Sequence, residues 1–204
     1  EARAAAVWRL APVATDDADA ADAAGVGGAA EALEVRRGLE RYVMERLHPR
    51  VFGMGMDVVE DKVLQAQVAT LSFVTPAHFG LLAEACEGTC WEAALAALRR
   101  MGSVKAPLDK VACVVETVAQ LGTITDPCDA SFVRLFALAV LRARPAQLYS
   151  QLEYIARFVH QDTLWSPEAG GPFSIARAAV QYLAHLDPMG LGRGAAAVAE
   201  RRLQ

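Results

Sequence analysis

Between Asp129 and Phe158 the chain reads DASFVRLFALAVLRARPAQLYSQLEYIARF, and no other stretch narrows the choice of fold as far. Its first half is a nearly all-apolar helix, and its second half carries a single apolar stripe. A helix that is apolar all round belongs inside a core, and a one-sided helix belongs on top of it. Pro145 lacks a backbone N–H and disfavours α geometry at Arg144, so the first helix is expected to stop there. Pro145 then suits the first turn of the next helix, whose Leu148, Leu152, Ile155 and Val159 share one face. These residues predict an all-α, layered domain around a central apolar helix at about 132–144.

The remaining chain fits that class. Residues 1–30 are rich in alanine and glycine, with the acidic tract Asp16-Asp17-Ala18-Asp19, and are expected to be a flexible leader whose Trp8 and Leu10 could dock onto the body, with nothing local to fix them. Residues 31–204 are expected to form one helical domain. Glu31–Phe52 carries Val35, Leu39, Val43, Leu47 and Val51 at helical spacing. Gly53-Met54-Gly55 breaks that helix, with Met54 and Met56 expected to close a small apolar cap. Asp57 caps or leads the next helix, with Val59, Val63, Ala66 and Leu71 expected on its buried side. Thr75-Pro76 marks a turn, and Trp91–Met101 reads as a helix ending in arginines. Pro107 opens another with Leu108, Val111, Val115 and Val118 on one face. Phe173–Leu186 is expected to close the set. No period-two alternation is present, so strands are not expected.

Composition excludes several function classes. The 204 residues suffice for one good core, and the 54% hydrophobic content is inflated by alanine. No apolar run reaches the length of a membrane span, so no direct membrane insertion is expected; nor is there a secretory signal pattern. A net charge of −4 with interspersed signs offers no footprint for nucleic acid. Cys86 and Cys90 lack zinc spacing and a second ligand pair, and Cys113 reads as a small buried hydrophobe among reduced, cytosolic thiols. His48, His78, His160 and His185 lie far apart, without carboxylates or cysteines at ligand spacing, and read as surface or packing residues. Glu153, Tyr154 and Arg157 read as a solvated helix face. Gly170-Gly171-Pro172 precedes a helix but lacks the Lys-Ser/Thr and the strand of a phosphate loop. No nucleophile–base pair or metal cluster stands out, so no cofactor and no metal are expected.

Four blocks then resemble, in order, the vacuolar-protein-sorting-nine domain, the catalytic module of exchange factors for endosomal Rab GTPases. They are LERYVMERLHPRVF at Leu39–Phe52, LSFVTPAHF at Leu71–Phe79, APLDKVACVVETV at Ala106–Val118, and the stretch from Phe132 to Phe158. The resemblance implies an all-α layered domain that binds the switch regions of an early-endosomal Rab GTPase and expels GDP. It also implies a cytoplasmic protein recruited to endosomal membranes. In the family an acid just before the central helix enters the phosphate site, aided by a tyrosine and a threonine before the last helix.

At those positions the chain departs from the pattern. Ala130 stands where the aspartate is expected, with Asp129 one residue earlier and Asp126 nearby. Arg134 replaces the family's proline, Gly171 the tyrosine and Ser174 the threonine. Asp129 and Ser174 are therefore the candidate catalytic residues, with Ala130, Phe132, Arg134, Gly171 and Phe173 as candidate partner-binding positions. Each has a plainer alternative. Asp129 or Ser131 could merely cap the central helix, Ser174 could cap the last one, and Arg134 could pair within the domain or face solvent. The functional reading is Rab nucleotide exchange; a non-catalytic Rab binder and a helical scaffold without the Rab surface are the alternatives.

Overall fold

The computed structural model describes residues 25–189. Among them are eight α-helices and no strand: α1 (Gly25–Val51), α2 (Met56–Thr70), α3 (Thr89–Arg100), α4 (Pro107–Gly122), α5 (Phe132–Ala143), α6 (Leu148–Phe158), α7 (Gln161–Trp165) and α8 (Pro167–His185). Short 3-10 turns at Leu71–Phe73, Pro76–Phe79 and Ala83–Cys86 link α2 to α3. The chain divides into two compact units, Glu1–Leu39 and Glu40–Gln204. In the first, Glu34 and Arg37 pair at 3.1 Å, and Val35 and Leu39 are exposed. The glycines Gly25, Gly27 and Gly28, expected in the leader, lie in α1. The acidic tract, Trp8 and Leu10 fall outside the described residues.

The second unit is built on α5, the expected central helix. From Leu135 to Leu141 every residue is at most 2% exposed. Each large side chain buried there contributes about 1.5–3 kcal/mol. α5 lies against α3 and α8, α4 packs on α3 and α8, and α2 packs on α6. Arg142 escapes the apolar interior by donating from Nη2 to the Val74 carbonyl at 2.7 Å. In α6, Leu148, Leu152, Ile155 and Val159 are all buried, as their spacing implies.

The turn between α5 and α6 differs from expectation. Pro145 does not open α6; residues 144–147 form a turn first, and α6 starts at Leu148. Arg144 ends α5 in the left-handed conformation, φ 48°, and Gln147 repeats it at φ 51°. A side chain with a Cβ costs roughly 1–2 kcal/mol there, whereas glycine does not. Arg144→Gly should therefore raise stability by about 0.5–1 kcal/mol after the entropy glycine adds to the unfolded chain. A shift of the urea midpoint at unchanged m would show it, and a lowered midpoint would refute it.

Helix α1 half-buries Val43 and Val51 of its predicted row, whereas α2 turns its apolar residues the other way from the sequence reading. In α1 it is Met44 that is buried, with His48 half-buried beside it, while Leu47 is exposed. In α2 Asp57, Asp61 and Leu64 face inward, and Val59, Val63 and Ala66 face out; only Leu71, in the following turn, is buried. The cause is charge-assisted bonding. Arg157 of α6 grips Asp57 with both terminal nitrogens, at 2.6 and 2.7 Å. Asp61 accepts from the backbone N–H of Ser150 at 3.2 Å and from its hydroxyl. Such bonds are roughly twice as strong as neutral ones, and burying them orients the helix. Arg157 is thus a tie between α2 and α6, and Tyr154, expected on the solvated face, is only 2% exposed. Gly53 and Gly55, with φ near 60°, make the turn before α2; Met54 and Met56 beside them are exposed and close no cap.

Candidate functional site at the start of the central helix and along the last helix

Residues 125–131 lead into α5 through two side-chain-braced turns. Asp126 Oδ1 accepts from the Cys128 N–H at 2.8 Å, and Asp129 Oδ1 accepts from the Ser131 N–H at 2.6 Å. The Asp129 carbonyl takes the Phe132 N–H at 2.9 Å. Ser131 occupies the N-cap position but its hydroxyl caps nothing. Asp129 therefore braces the helix start while its carboxylate stays open to solvent. The Ser131 hydroxyl, then the Ser131 N–H and the charge of Arg134 hold that carboxyl below the usual carboxylate range. Ala130 is exposed beside it.

Phe132 is fully buried and belongs to the core; it presents no side chain to a partner. Arg134, in the first turn of α5, is half-buried. Its Nε is shielded from solvent and makes no hydrogen bond, and its guanidinium forms no ion pair among the described residues. Its charge reaches Tyr182 of α8, whose phenol is raised by burial and lowered by that charge.

Helix α8 corrects the sequence reading more deeply. It starts at Pro167, six residues before the expected start, with Ser166 as N-cap accepting from the Ala169 N–H at 3.3 Å. Ser166-Pro167-Glu168 is itself a helix-start signal: a capping hydroxyl, a proline in the first turn and an acid near the positive end. Gly170, Gly171 and Pro172 consequently lie inside a helix, and Ser174 is not an N-cap. Gly170 is there for space: a Cβ would meet the Leu164 carbonyl oxygen at 2.3 Å. Gly170→Ala should push α7 off α8 and cost about 1–3 kcal/mol, read as a lower thermal midpoint; unchanged melting would show that this corner yields freely.

The 3.6-residue period places Gly171, Ser174, Ile175, Ala178 and Tyr182 along one stripe of α8. Gly171 and Ser174 are exposed, and the other three are half-buried. Gly171 has open space around it. The stripe spans about 16 Å by helical rise, and α8 packs against α5. Phe173 points the other way, into the core, under Arg177, which pairs with Glu153 of α6 at 3.5 Å. Of the candidate residues, Asp129, Ala130, Gly171 and Ser174 are exposed and Arg134 is half-buried, while Phe132 and Phe173 lie in the core.

The most exposed aromatic among the described residues lies outside the set that sequence reasoning selects. Trp165, at the end of α7, is 75% exposed, and its backbone lies against Gly170 at the α8 start. A signal for it exists in the chain, because a tryptophan directly before a Ser-Pro helix start is too close to the cap to follow either helix inward.

The described residues form a layered all-α domain in which α5 and α8 pack against each other. Among the described residues no group of His, Cys, Asp and Glu could hold a metal ion. Residues 91–188, from α3 to beyond α8, match the model of the Vacuolar sorting protein 9 (VPS9) domain. Over those residues the chain carries a VPS9 domain. It is similar to Vacuolar protein sorting-associated protein 9A of Oryza sativa subsp. japonica, 30% identical over 174 residues, which cover 79% of this chain and 36% of that protein. It is also similar to the Rab5 GDP/GTP exchange factor of Homo sapiens, 27% identical over 166 residues, 75% of this chain and 33% of the relative. Vacuolar protein sorting-associated protein vps901 of Schizosaccharomyces pombe is 26% identical over 150 residues, 65% of this chain and 26% of its own length. The chain thus spans about a third of the length of the curated relatives it matches.

Proposed function

We propose that this domain binds a Rab-family GTPase along the α8 stripe and the start of α5, and accelerates release of its GDP. The target in this reading is an early-endosomal GTPase of the Rab5 class, and the domain works at endosomal membranes to which other parts of the protein bring it. The observation that carries the reading is Asp129: in a VPS9 domain, an exposed acid, its carboxyl held below the usual carboxylate range, stands just before the central helix.

Nucleotide affinities can approach the picomolar range, about −16 kcal/mol, so the exchange factor has to weaken that hold while the nucleotide weakens its own. A thousand-fold faster release requires about 4 kcal/mol. An exposed ion pair, worth ~0–1 kcal/mol, does not supply it. An acid carried into the dry phosphate site does, by drawing the phosphate-binding lysine away and disfavouring the magnesium ion. Arg134, a guanidinium without an ion-pair partner among the described residues, suits an acid of the GTPase switch region.

The second reading, binding without efficient exchange, has its own support. Asp129 already holds the Ser131 N–H, and Gly171 offers no side chain where the family has tyrosine. Release of a fluorescent GDP analogue from a panel of endosomal Rab proteins separates the two. Acceleration on one supports exchange and names the target. Tight binding to a nucleotide-free Rab without acceleration supports the second reading.

A further inference from the structure

We propose that Trp165 is the aromatic anchor for the GTPase, supplying from the α7–α8 corner the contact that Gly171 does not make. The inference rests on the exchange-factor reading and adds to it a residue that sets affinity and partner choice. A tryptophan carries some 150–250 Å² of surface and is normally buried on average. The contrast within this chain is sharp: Trp91 is 4% exposed inside α3, while Trp165 is 75% exposed.

The corner that holds Trp165 is tied down by hydrogen bonds on both sides. His160 caps α7, its Nδ1 accepting the Asp162 N–H at 3.3 Å. Leu164, the neighbouring residue, packs against the core, and its carbonyl occupies the space a Gly170 Cβ would need. Ser166 then caps α8. Leu164 points in and Trp165, the next residue, points out, with a helix cap on either side of the pair.

Its position relative to the stripe follows from the same contact. Gly170 faces the Leu164–Trp165 backbone, and Ser174, four residues on, lies on that side of α8 one turn further along. Gly171 is next to Gly170, exposed and surrounded by open space. Trp165 therefore stands at the Gly171 end of the stripe, next to its two exposed positions, Gly171 and Ser174. An indole held on a corner tied down in this way loses little entropy on binding, and a large aromatic that becomes desolvated is the commonest kind of interface hot spot. An indole at the head of the stripe would fix the register of the GTPase along it.

The test uses the full chain, with Trp165→Ala and Trp165→Phe, against the nucleotide-free Rab that the wild type binds. Trp165→Ala should weaken binding about 10- to 100-fold with unchanged melting. Trp165→Phe should retain most of the affinity. The wild-type minus Trp165→Phe emission should shift to the blue on complex formation. Equal binding and GDP release by wild type and Trp165→Ala would overturn the inference while leaving the exchange reading intact. Equal weakening by both variants, with lowered melting, would also overturn it, since Trp165 would then act through the fold. A wild type that neither binds nor accelerates any Rab would instead bring down the exchange reading, and this inference with it.

Discussion

Lys110→Met is expected to destabilise the second unit by about 3–5 kcal/mol, the largest stability effect of any single substitution considered for this domain. Lys110, on α4, has no exposed surface. Its Nζ donates to the carbonyls of Met101 at 3.0 Å and Val104 at 2.5 Å, and to Gln151 Oε1 at 2.5 Å. Those acceptors belong to the end of α3, the segment after it and α6, so one amine joins three parts of the layer. Phe52 and Tyr154 close over it, with ring centroids 5.2 and 5.8 Å from the nitrogen. Methionine fills the volume but abandons three acceptors in a dry site. Each lost partner there costs about 1–3 kcal/mol, offset in part by no longer burying an ammonium. Guanidinium denaturation at pH 7 should show a lower midpoint with unchanged m; a stability within about 0.5 kcal/mol of wild type, the range of ordinary surface substitutions, would contradict the argument.

The same lysine gives a pH signature. Burial pushes its amine down from 10.5 to about 8. Between those values the unfolded chain holds the proton and the folded one has released it, so wild-type stability should rise with pH across that window. Below about 8 both states are protonated and this contribution to the slope vanishes. Lys110→Met should lack the rise, so the difference between the two proteins isolates it from other titrations. His48, whose imidazole is lowered by burial and by the charges of Lys110 and Lys105, works in the acid range in the same direction: stability falls as pH drops below 6.5.

How far the sequence reveals this fold depends on the kind of force involved. The apolar helices α4, α5 and α6 are legible because burial dominates there and periodicity reports burial. In α2 the helical period is plain but the buried face is not, because Asp57 and Asp61 find their partners on α6, far along the chain, which no local pattern reveals. Lys110 is hidden for the same reason: a lysine in an apolar helix says nothing of three acceptors on other elements. The α8 start is obscured because two glycines and a proline imitate a loop, although a complete cap stands just before them. At the site, the resemblance points to Asp129, Arg134, Gly171 and Ser174 on the surface-forming parts of α5 and α8 without showing which side chains are reachable. Phe132 and Phe173 rank with them by alignment, yet their size and apolarity commit them to the core.

Asp129→Ala, in contrast, should leave the fold nearly intact and, on the exchange reading, slow GDP release by roughly 10²-fold or more, as loss of a charge-stabilising group in a dry site does. The carboxylate is solvent-exposed and engaged only with Ser131, so entering a GTPase requires it to give up two local hydrogen bonds and no packing. That cost is small against the electrostatic gain at a phosphate-binding lysine, provided the backbone register brings it close enough. Ala130→Asp tests the register. Ala130 is exposed, and an acid there would start without the Ser131 bond that occupies Asp129. If the stripe is the Rab surface and the family register holds, Ala130→Asp should raise the release rate above wild type, and the double variant with Asp129→Ala should keep that gain. If Asp129 is only a brace, its alanine variant lowers the melting temperature slightly and leaves release alone. An acid at 130 that changes nothing, in a protein still binding nucleotide-free Rab, would show that the domain grips the GTPase without reaching its phosphate site, because charge is then present at the mouth of α5 and what is missing is distance.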